Sequence, residues 1–554
     1  MMARYEEKIL KWFPCFIVIA FAFLLLYCPF QLGDRELYWQ EGYYAVQAAE
    51  MEYLLPMTFA HGVVIKNSYP LFPWIASLLN NELGWSLEFS LRFISVFSLA
   101  LLTSVVWYAA RSAGGVQAAA VAAAMMISSN IVIEKALDGY PDMLMLFFLT
   151  VGWLLWFSFG AGQGNWSVAW IFALFFCGLV FYTNGPLAVL YFIVPLILMR
   201  RPLTIWPKLR KPGFFIGLAI FLGFLLLWKM PHLIFARTLP FRYMPMEAKH
   251  FYAYLEHLIV FPFDVVVRFF PWSLLAWAPF CVALHPLDRT PIFSRFLRTI
   301  FFALFFLLWL SPYSEPRDIM LLAPPLAIMT GLNYWLIIRR YGNFMVKILN
   351  FFPWMAMGIG LVIFVFYLAP ASWWTNLVSL SRGIEFKYVA FNFICGMIGA
   401  SIAVGAGFTL IVLRRKPPIW VYMLVLIICP VIFFWTIARP YKAQENSKQT
   451  LGMELRAALN KEHVPMNEII YKSAILGLYG ECYYMGGKVQ KIFSLDELPK
   501  DKKVVYLLSP EFPEFPERRW RNLRPTRQQY RKKRLCLWQG VKIDNKRRFR
   551  KWSR

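Results

Sequence analysis

Charge is scarce in this chain. Of 554 residues only 16% are Asp, Glu, Lys or Arg, against 59% hydrophobic, and the mean hydropathy is +0.52. A water-soluble protein of that balance would leave far too much apolar surface exposed. Acidic groups are the scarcest, 31 against 57 Lys and Arg, for a net charge of +26. Histidine occurs six times, and the absence of any CxxC or His-rich cluster argues against a separate metal site. Of eight cysteines, Cys15, Cys28, Cys177, Cys281, Cys395 and Cys429 lie inside apolar runs, where a small buried side chain is the plain reading. Only Cys482 and Cys536 fall in a polar stretch, where a disulfide is open to them if that stretch is extracytoplasmic. No internal repeat is evident. The first apolar run, "CFIVIAFAFLLLYCPF", lacks a small-x-small cleavage site and is long for a signal sequence, so it reads as an uncleaved helix.

Long apolar runs are what the chain has in plenty. They recur between residues 9 and 437 at the length needed to cross a hydrocarbon core. Backbone groups in lipid must be satisfied internally, which makes this an all-α polytopic membrane protein rather than a barrel. The pattern predicts about thirteen spans, near 9–30, 89–110, 115–133, 141–160, 166–183, 186–200, 214–230, 264–285, 299–312, 319–338, 350–370, 389–413 and 419–437. Basic residues gather in alternate loops, at Arg111, at Arg200 to Lys211, at Arg289 to Arg298, at Arg339 to Lys347 and at Arg414 to Lys416. The positive-inside rule makes those loops and the N-terminus cytoplasmic. Loops 31–88, 231–263, 313–318 and 371–388 then lie outside, with everything after residue 438. The basic excess so placed suits a membrane surface, not nucleic acid, and the terminal "RKKRLCLWQGVKIDNKRRFRKWSR" suits anionic lipid or glycolipid.

The expected organisation is a transmembrane domain, 1–438, and a C-terminal domain, 439–554. Within loop 31–88, helical spacing over 37–53 puts Trp39, Tyr43, Val46, Glu50 and Tyr53 on one face, an aromatic stripe suited to the membrane interface. Tyr38, Glu41, Ala45, Ala48 and Glu52 share another, where small residues allow close helix approach. "YPLFPWIASLLNNELGW" reads as a second interfacial helix. In the C-terminal domain "SKQTLGMELRAALNKE" and "AILGLYGECYYM" read as helices, and "EIIYK", "KVQKIF", "KVVYLLS" and "RLCLWQGV" as strands, giving a small α/β domain with a basic extension.

The outward loops hold the chemistry-bearing residues. Carboxylates are Asp34, Glu36, Glu41, Glu50, Asp138 and Asp142; cations and donors are Lys66, Arg237, Arg242, Lys249, His250, His257 and Arg317. Acids and bases on one side of a bundle suit sugar transfer from a lipid phosphate. A carboxylate would deprotonate the acceptor hydroxyl, and cations would stabilise charge on the departing phosphate. Plainer readings stand beside these. Asp34 could cap a helix, Asp142 suits a helix N-terminus, Arg317 could pair with Asp318, Lys66 could be a surface charge, and His250 and His257 could share an interfacial face.

The order of short motifs resembles the lipid-phosphate-dependent glycosyltransferases of the GT-C superfamily, especially the bacterial aminoarabinose transferases that modify lipid A and the protein O-mannosyltransferases. "QEGYYAVQAAEM" is similar to the acidic first-loop motif through Glu41, Tyr44, Ala45, Ala48, Glu50 and Met51. "SYPLFPW", "YPDMLMLFF", "TNGP", "FFPWSLL" and "SEPRDIMLLAPPLA" follow in the family's order over residues 30–340. The chain departs from the pattern at Gln40, where an aspartate is expected, and at Ser68 and Asn184, where lysines are expected.

The resemblance implies a GT-C fold and an inverting hexosyl- or pentosyltransferase with a polyprenyl-phosphate-sugar donor. The acceptor would be a glycolipid such as lipid A, or a protein, on the periplasmic face of an inner membrane. It implies Glu41 or Asp34 as base and Asp142 orienting the acceptor or an outer helix. Arg317 with Lys66 or Arg242 would hold the donor phosphate, with Tyr44 in the substrate site, and no cofactor or metal is required. Two other readings stay open: a lipid-linked sugar transporter or flippase, and a non-catalytic lipid-glycan binding protein.

Overall fold

The computed structural model describes residues 36–38, 40–51, 57–65, 69–234, 241–242, 251–270, 272–349, 351–368, 393–413, 448–474, 476–530 and 533–543. It is mostly helical, and by contact it divides into two compact units. The first comprises residues 1–32, 92–224 and 245–444; the second comprises 33–91, 225–244 and 445–554.

The first unit holds most of the apolar helices. Across the described residues of the chain, six helices are long and apolar enough to cross a membrane: Leu87–Ser128, Asp142–Gly162, Trp166–Ile197, Pro212–Ile234, Pro291–Leu310 and Pro316–Gly342. Two of these join a pair of expected spans. Leu87–Ser128 breaks at Gly115 (φ 82°, ψ −175°) and Trp166–Ile197 at Gly185 (φ 73°, ψ −152°). Side-chain-bearing residues do not adopt that backbone, so the glycines mark where each helix changes course. The expected span at 264–285 is not continuous. Phe251–Arg268 is followed by the short Ser273–Ala276 helix and 3-10 turns, with a bend of 108°. Pro279 and Pro286 lie in those 3-10 turns and interrupt the backbone ladder. Phe351–Leu368 and Phe393–Leu413 meet through Gly360 and Gly399, where a Cβ on either would fall within 2.6 Å of backbone. The expected spans at 9–30 and 419–437 lie outside the described residues.

The second unit contains two sheets. β1 (Phe59–Ala60) and β2 (Val63–Ile65) form a hairpin, and β3 (Phe241–Arg242) pairs parallel with β2. The larger sheet runs β5-β4-β6-β8-β7, with β4 Ile469–Ser473, β5 Lys488–Ile492, β6 Val504–Ser509, β7 Arg518–Tyr530 and β8 Lys533–Lys542. β4 lies parallel to β5 and β6; β8 is antiparallel to β6 and β7. Alternation assigns the faces. Ile470 and Leu508 join Leu455 and Leu459 of the Lys448–Lys461 helix, and Cys482 and Met485 of the Tyr479–Met485 helix. Tyr471, Val505 and Leu507 face the other way, with Trp520 and Trp538.

The first-loop helix is shorter than expected and serves a different surface. It spans Glu41–Ala49. Tyr43 and Val46 form a buried cluster with Ala60 and Ile65, against Tyr479 and Tyr483, so the aromatic face meets protein. The small-residue face does make a close approach: a Cβ on Gly42 would stand 2.5 Å from the backbone nitrogen of Gly480. The second expected helix forms at Leu71–Leu83, with Trp74, Leu78 and Leu83 exposed. Cys482 and Cys536 are both buried, and no disulfide joins them.

Candidate functional site

In the first unit, two distant motifs meet. Asp142 opens the Asp142–Phe157 helix, a position where the helix dipole favours a carboxylate. Its approach is fixed by Ser95, whose hydroxyl donates to the carbonyls of Asp138 (2.8 Å) and Tyr140 (3.1 Å). Arg317 lies in the 3-10 turn Pro316–Leu322. Its Nη1 stands 3.6 Å from Asp142 Oδ2, its Nε 2.9 Å from Glu315 Oε2, and its guanidinium 5.3 Å from the Tyr140 ring centre. Asp318, the local alternative partner and within reach of the Arg317 charge, takes part in a capping box. Asp318 accepts from the backbone N–H of Glu315 at 2.7 Å, and the Glu315 side chain caps in return. Asp138, also a candidate, is buried and 4.0 Å from Lys135.

A cavity of about 1070 Å³ lies in the same unit, lined by apolar groups such as Leu187, Val194, Phe302 and Phe306. Tyr191 lines it and is within electrostatic reach of Asp142 and Asp318. Arg200, Arg295 and Arg298 also line it. Asn184, at an expected lysine position, donates to the Met145 sulfur at 3.5 Å. His257 faces the Leu308 carbonyl (3.2 Å) and the Ser314 hydroxyl (3.0 Å), linking its helix to the end of the Pro291–Leu310 helix and the turn after it.

The first-loop motif belongs to the second unit. Glu41 is 1% exposed, and its Oε2 accepts from the Tyr38 N–H at 2.8 Å. It also acts on Lys448: burial pulls that ammonium below its ordinary value, while Glu481, Glu41 and Glu36 oppose the shift. Glu36 accepts from the backbone of Gln449 at 3.1 Å. Tyr44 stacks edge-on against Tyr43 and Phe72. Arg242 pairs in β3 with Ile65, the residue before Lys66 in the sequence. Asp34, Lys66, Ser68, Arg237, Lys249 and His250 lie outside the described residues.

Glu50, a candidate for chemistry, holds the β1–β2 turn. His61 (φ 55°) and Gly62 (φ 69°) form its two-residue tip, and both N–H groups donate to the Glu50 carboxylate at 3.0 Å. Around it stand residues that the motif reading missed. The His61 ring stacks on Tyr479 at 5.1 Å, Lys472 Nζ sits 4.3 Å from the Tyr479 centre, and Glu481 and Cys482 are close by in charge terms. Burial raises Glu50 and drives His61 well below its usual value, the latter helped by Lys472 and Lys491. Burial also lowers Lys472 to about 8 and raises Tyr479 to about 12. The pair "HG" between apolar flanks was a readable hairpin signal.

The model of the dolichyl-phosphate-mannose-protein mannosyltransferase family matches residues 67–235. The crystal structure of ArnT from Cupriavidus metallidurans bound to undecaprenyl phosphate has a TM-score of 0.63 to this chain at 15% identity. That match covers 94% of this chain and 97% of the other. The apo form of the same protein gives 0.62 at 15%, covering 89% and 92%. The Archaeoglobus fulgidus oligosaccharyltransferase tethered to an acceptor peptide gives 0.44 at 11%, covering 88% and 64%, too distant to carry an argument. No curated protein sequence matches. The chain has the fold of ArnT, and with the family match this bears out its resemblance to the lipid-phosphate-dependent glycosyltransferases of the GT-C superfamily.

Proposed function

We propose that the protein is a membrane glycosyltransferase that moves a sugar from a polyprenyl-phosphate donor to a glycolipid or protein acceptor. The Arg317–Asp142 pair carries this reading. Asp142 and Glu315 hold the guanidinium, which is only partly exposed and rests near the Tyr140 ring. A planar fork fixed in this way suits a phosphate, which it can bind through two parallel hydrogen bonds. The cavity beside Tyr191, with its apolar lining, suits a polyprenyl chain. ArnT of Cupriavidus metallidurans, as its structure is described, binds undecaprenyl phosphate, and the same class of lipid is assigned here.

In this reading the donor phosphate rests on Arg317, aided by Arg242 or Lys66, and Asp142 keeps Arg317 in place. The acceptor hydroxyl attacks the anomeric carbon from the face opposite the phosphate. The C–O bond to phosphate breaks as the new glycosidic bond forms, and the anomeric centre inverts. The acceptor's proton passes to a carboxylate, Glu41 or Asp34. Positive-inside loops support a reaction on the outer side of the membrane, with the N-terminus cytoplasmic and the C-terminal region outside; the family resemblance makes that the periplasmic side of an inner membrane.

Transfer assays in membranes, across a panel of polyprenyl-phosphate sugars, test the assignment. Glu41→Gln or Asp34→Asn is expected to lower transfer by about 100-fold or more, as removal of a general base does. Unchanged transfer in both variants removes the base assignment. No transfer by the wild type with any donor favours a non-catalytic lipid-glycan binding protein. Mass spectrometry of envelope glycolipids and proteins, with and without the gene, identifies the acceptor.

A further inference from the structure

We propose that the hollow beside the β1–β2 turn, between the Glu41–Ala49 helix and β5, is a binding site for the ring of a neutral sugar. The hollow lies wholly within the second unit and measures about 620 Å³, inside the ~300–1,000 Å³ of small-ligand sites. Glu50, His61, Gln490, Phe59 and Tyr483 line it. It shares no residue with the Arg317 constellation, and the proposal does not depend on the transfer chemistry.

The strongest observation is His61. It is 2% exposed, and neither ring nitrogen has a hydrogen-bond partner. Buried polar atoms are rarely left so, and each one calls for an account. The neighbouring ammonium groups of Lys472 and Lys491, added to burial, keep the ring neutral. A neutral imidazole offers one donor and one acceptor. The ring is also set by its backbone. His61 occupies a positive-φ position, and its carbonyl accepts from the Lys491 N–H at 2.9 Å.

The neighbouring groups select the ligand class. Glu50 contributes carboxylate oxygens that accept hydrogen bonds, and an anionic ligand would meet that carboxylate directly. Gln490 adds an amide that both donates and accepts. Hydroxyl groups, which also do both, match this set one for one. Phe59 and Tyr483 supply ring surface for the C–H face of a pyranose. Lys472, 0% exposed and with an unpartnered Nζ, adds a positive field that strengthens hydroxyl acceptance nearby.

The test uses the full-length protein in nanodiscs, titrated with glucose, galactose, mannose and their disaccharides, and read by saturation-transfer NMR. Saturable binding with a dissociation constant of about 0.1–10 mM is expected. His61→Asn tolerates the positive φ but shortens the side chain, and should weaken binding about tenfold or more. Gln490→Ala lies on the edge strand β5 beside the turn but leaves the turn's own residues unchanged, so it keeps the proposal testable if the hairpin variant fails to fold; it should weaken binding several-fold. No saturation by about 100 mM of any sugar overturns the site. So does wild-type affinity in both variants, or displacement of bound sugar by inorganic phosphate, which would mark an anion site instead.

Discussion

Arg317 and Lys472 are cations in opposite circumstances. Arg317 reaches two carboxylates, Glu315 at 2.9 Å and Asp142 at 3.6 Å. A lysine offers a single point charge in place of the planar fork. Arg317→Lys is therefore expected to lower kcat/KM for a polyprenyl-phosphate donor by about 10²-fold, a loss of about 2.7 kcal/mol, with expression unchanged; near-wild-type kinetics would remove Arg317 from the phosphate site. Lys472 has no ion-pair oxygen within hydrogen-bonding range, and burial lowers its pKa to about 8 from 10.5. The unfolded chain then binds that proton more tightly than the folded one. Between about pH 8 and 10.5 the unfolded state carries more protons, so this residue adds stability as pH rises, by about 3 kcal/mol in all. Lys472→Met should remove the gain. Denaturation at pH 7.5 and pH 10 measures it, and equal pH slopes in the two proteins would contradict the assignment.

Among elements, the Glu41–Ala49 helix shows how closely backbones can meet. A Cβ on Gly42 would stand 2.5 Å from the Gly480 nitrogen and 2.6 Å from its Cα, and backbone cannot rotate aside. The converse substitution differs: a Cβ on Gly480 would meet Lys448 Cδ at 2.7 Å, the middle of a flexible side chain. Gly42→Ala should cost about 1–3 kcal/mol and Gly480→Ala less, read as unequal falls in the thermal midpoint of the purified protein. Equal falls would show that the helices simply move apart. The small residues of this helix were legible because periodicity reveals which ones share a face. Its aromatic face was misread because the same stripe serves lipid or a protein partner, and sequence does not name the partner. β7 was missed for a related reason. "RRWRNLRPTRQQY" carries repeated arginines and Pro525, which hide the alternation of a strand, yet β8 supplies its hydrogen bonds.

Taken whole, the chain announced its class through apolar length and the order of its motifs. Composition fixed the membrane setting, and the breaks at Gly115 and Gly185 fall where adjacent spans were expected to part. The Asp142–Arg317 contact was legible only as two motifs in sequence order, because nothing local links residues so far apart. The turn-holding role of Glu50 was not legible, because a conspicuous carboxylate looks the same whether it meets a ligand or holds a turn. The loop charges also make a global prediction. A phosphatase fused after residue 554 should be active and a fluorescent protein at the same place dark, as expected when that end lies outside the cytoplasm. The reverse pair of results would invert the topology.

The second unit is assembled from three stretches of chain, and its first waits for its last. During synthesis the turn held by Glu50 emerges early, while β5, which bonds to its tip through Lys491, is made only near the end. A nascent chain must therefore keep the Tyr43 and Val46 surface covered by a chaperone or by lipid until translation is nearly complete. A premature stop before β8 would leave Leu507 and Leu508 on an open sheet edge, and such a product is a natural substrate for quality-control proteases, whatever the state of its helices.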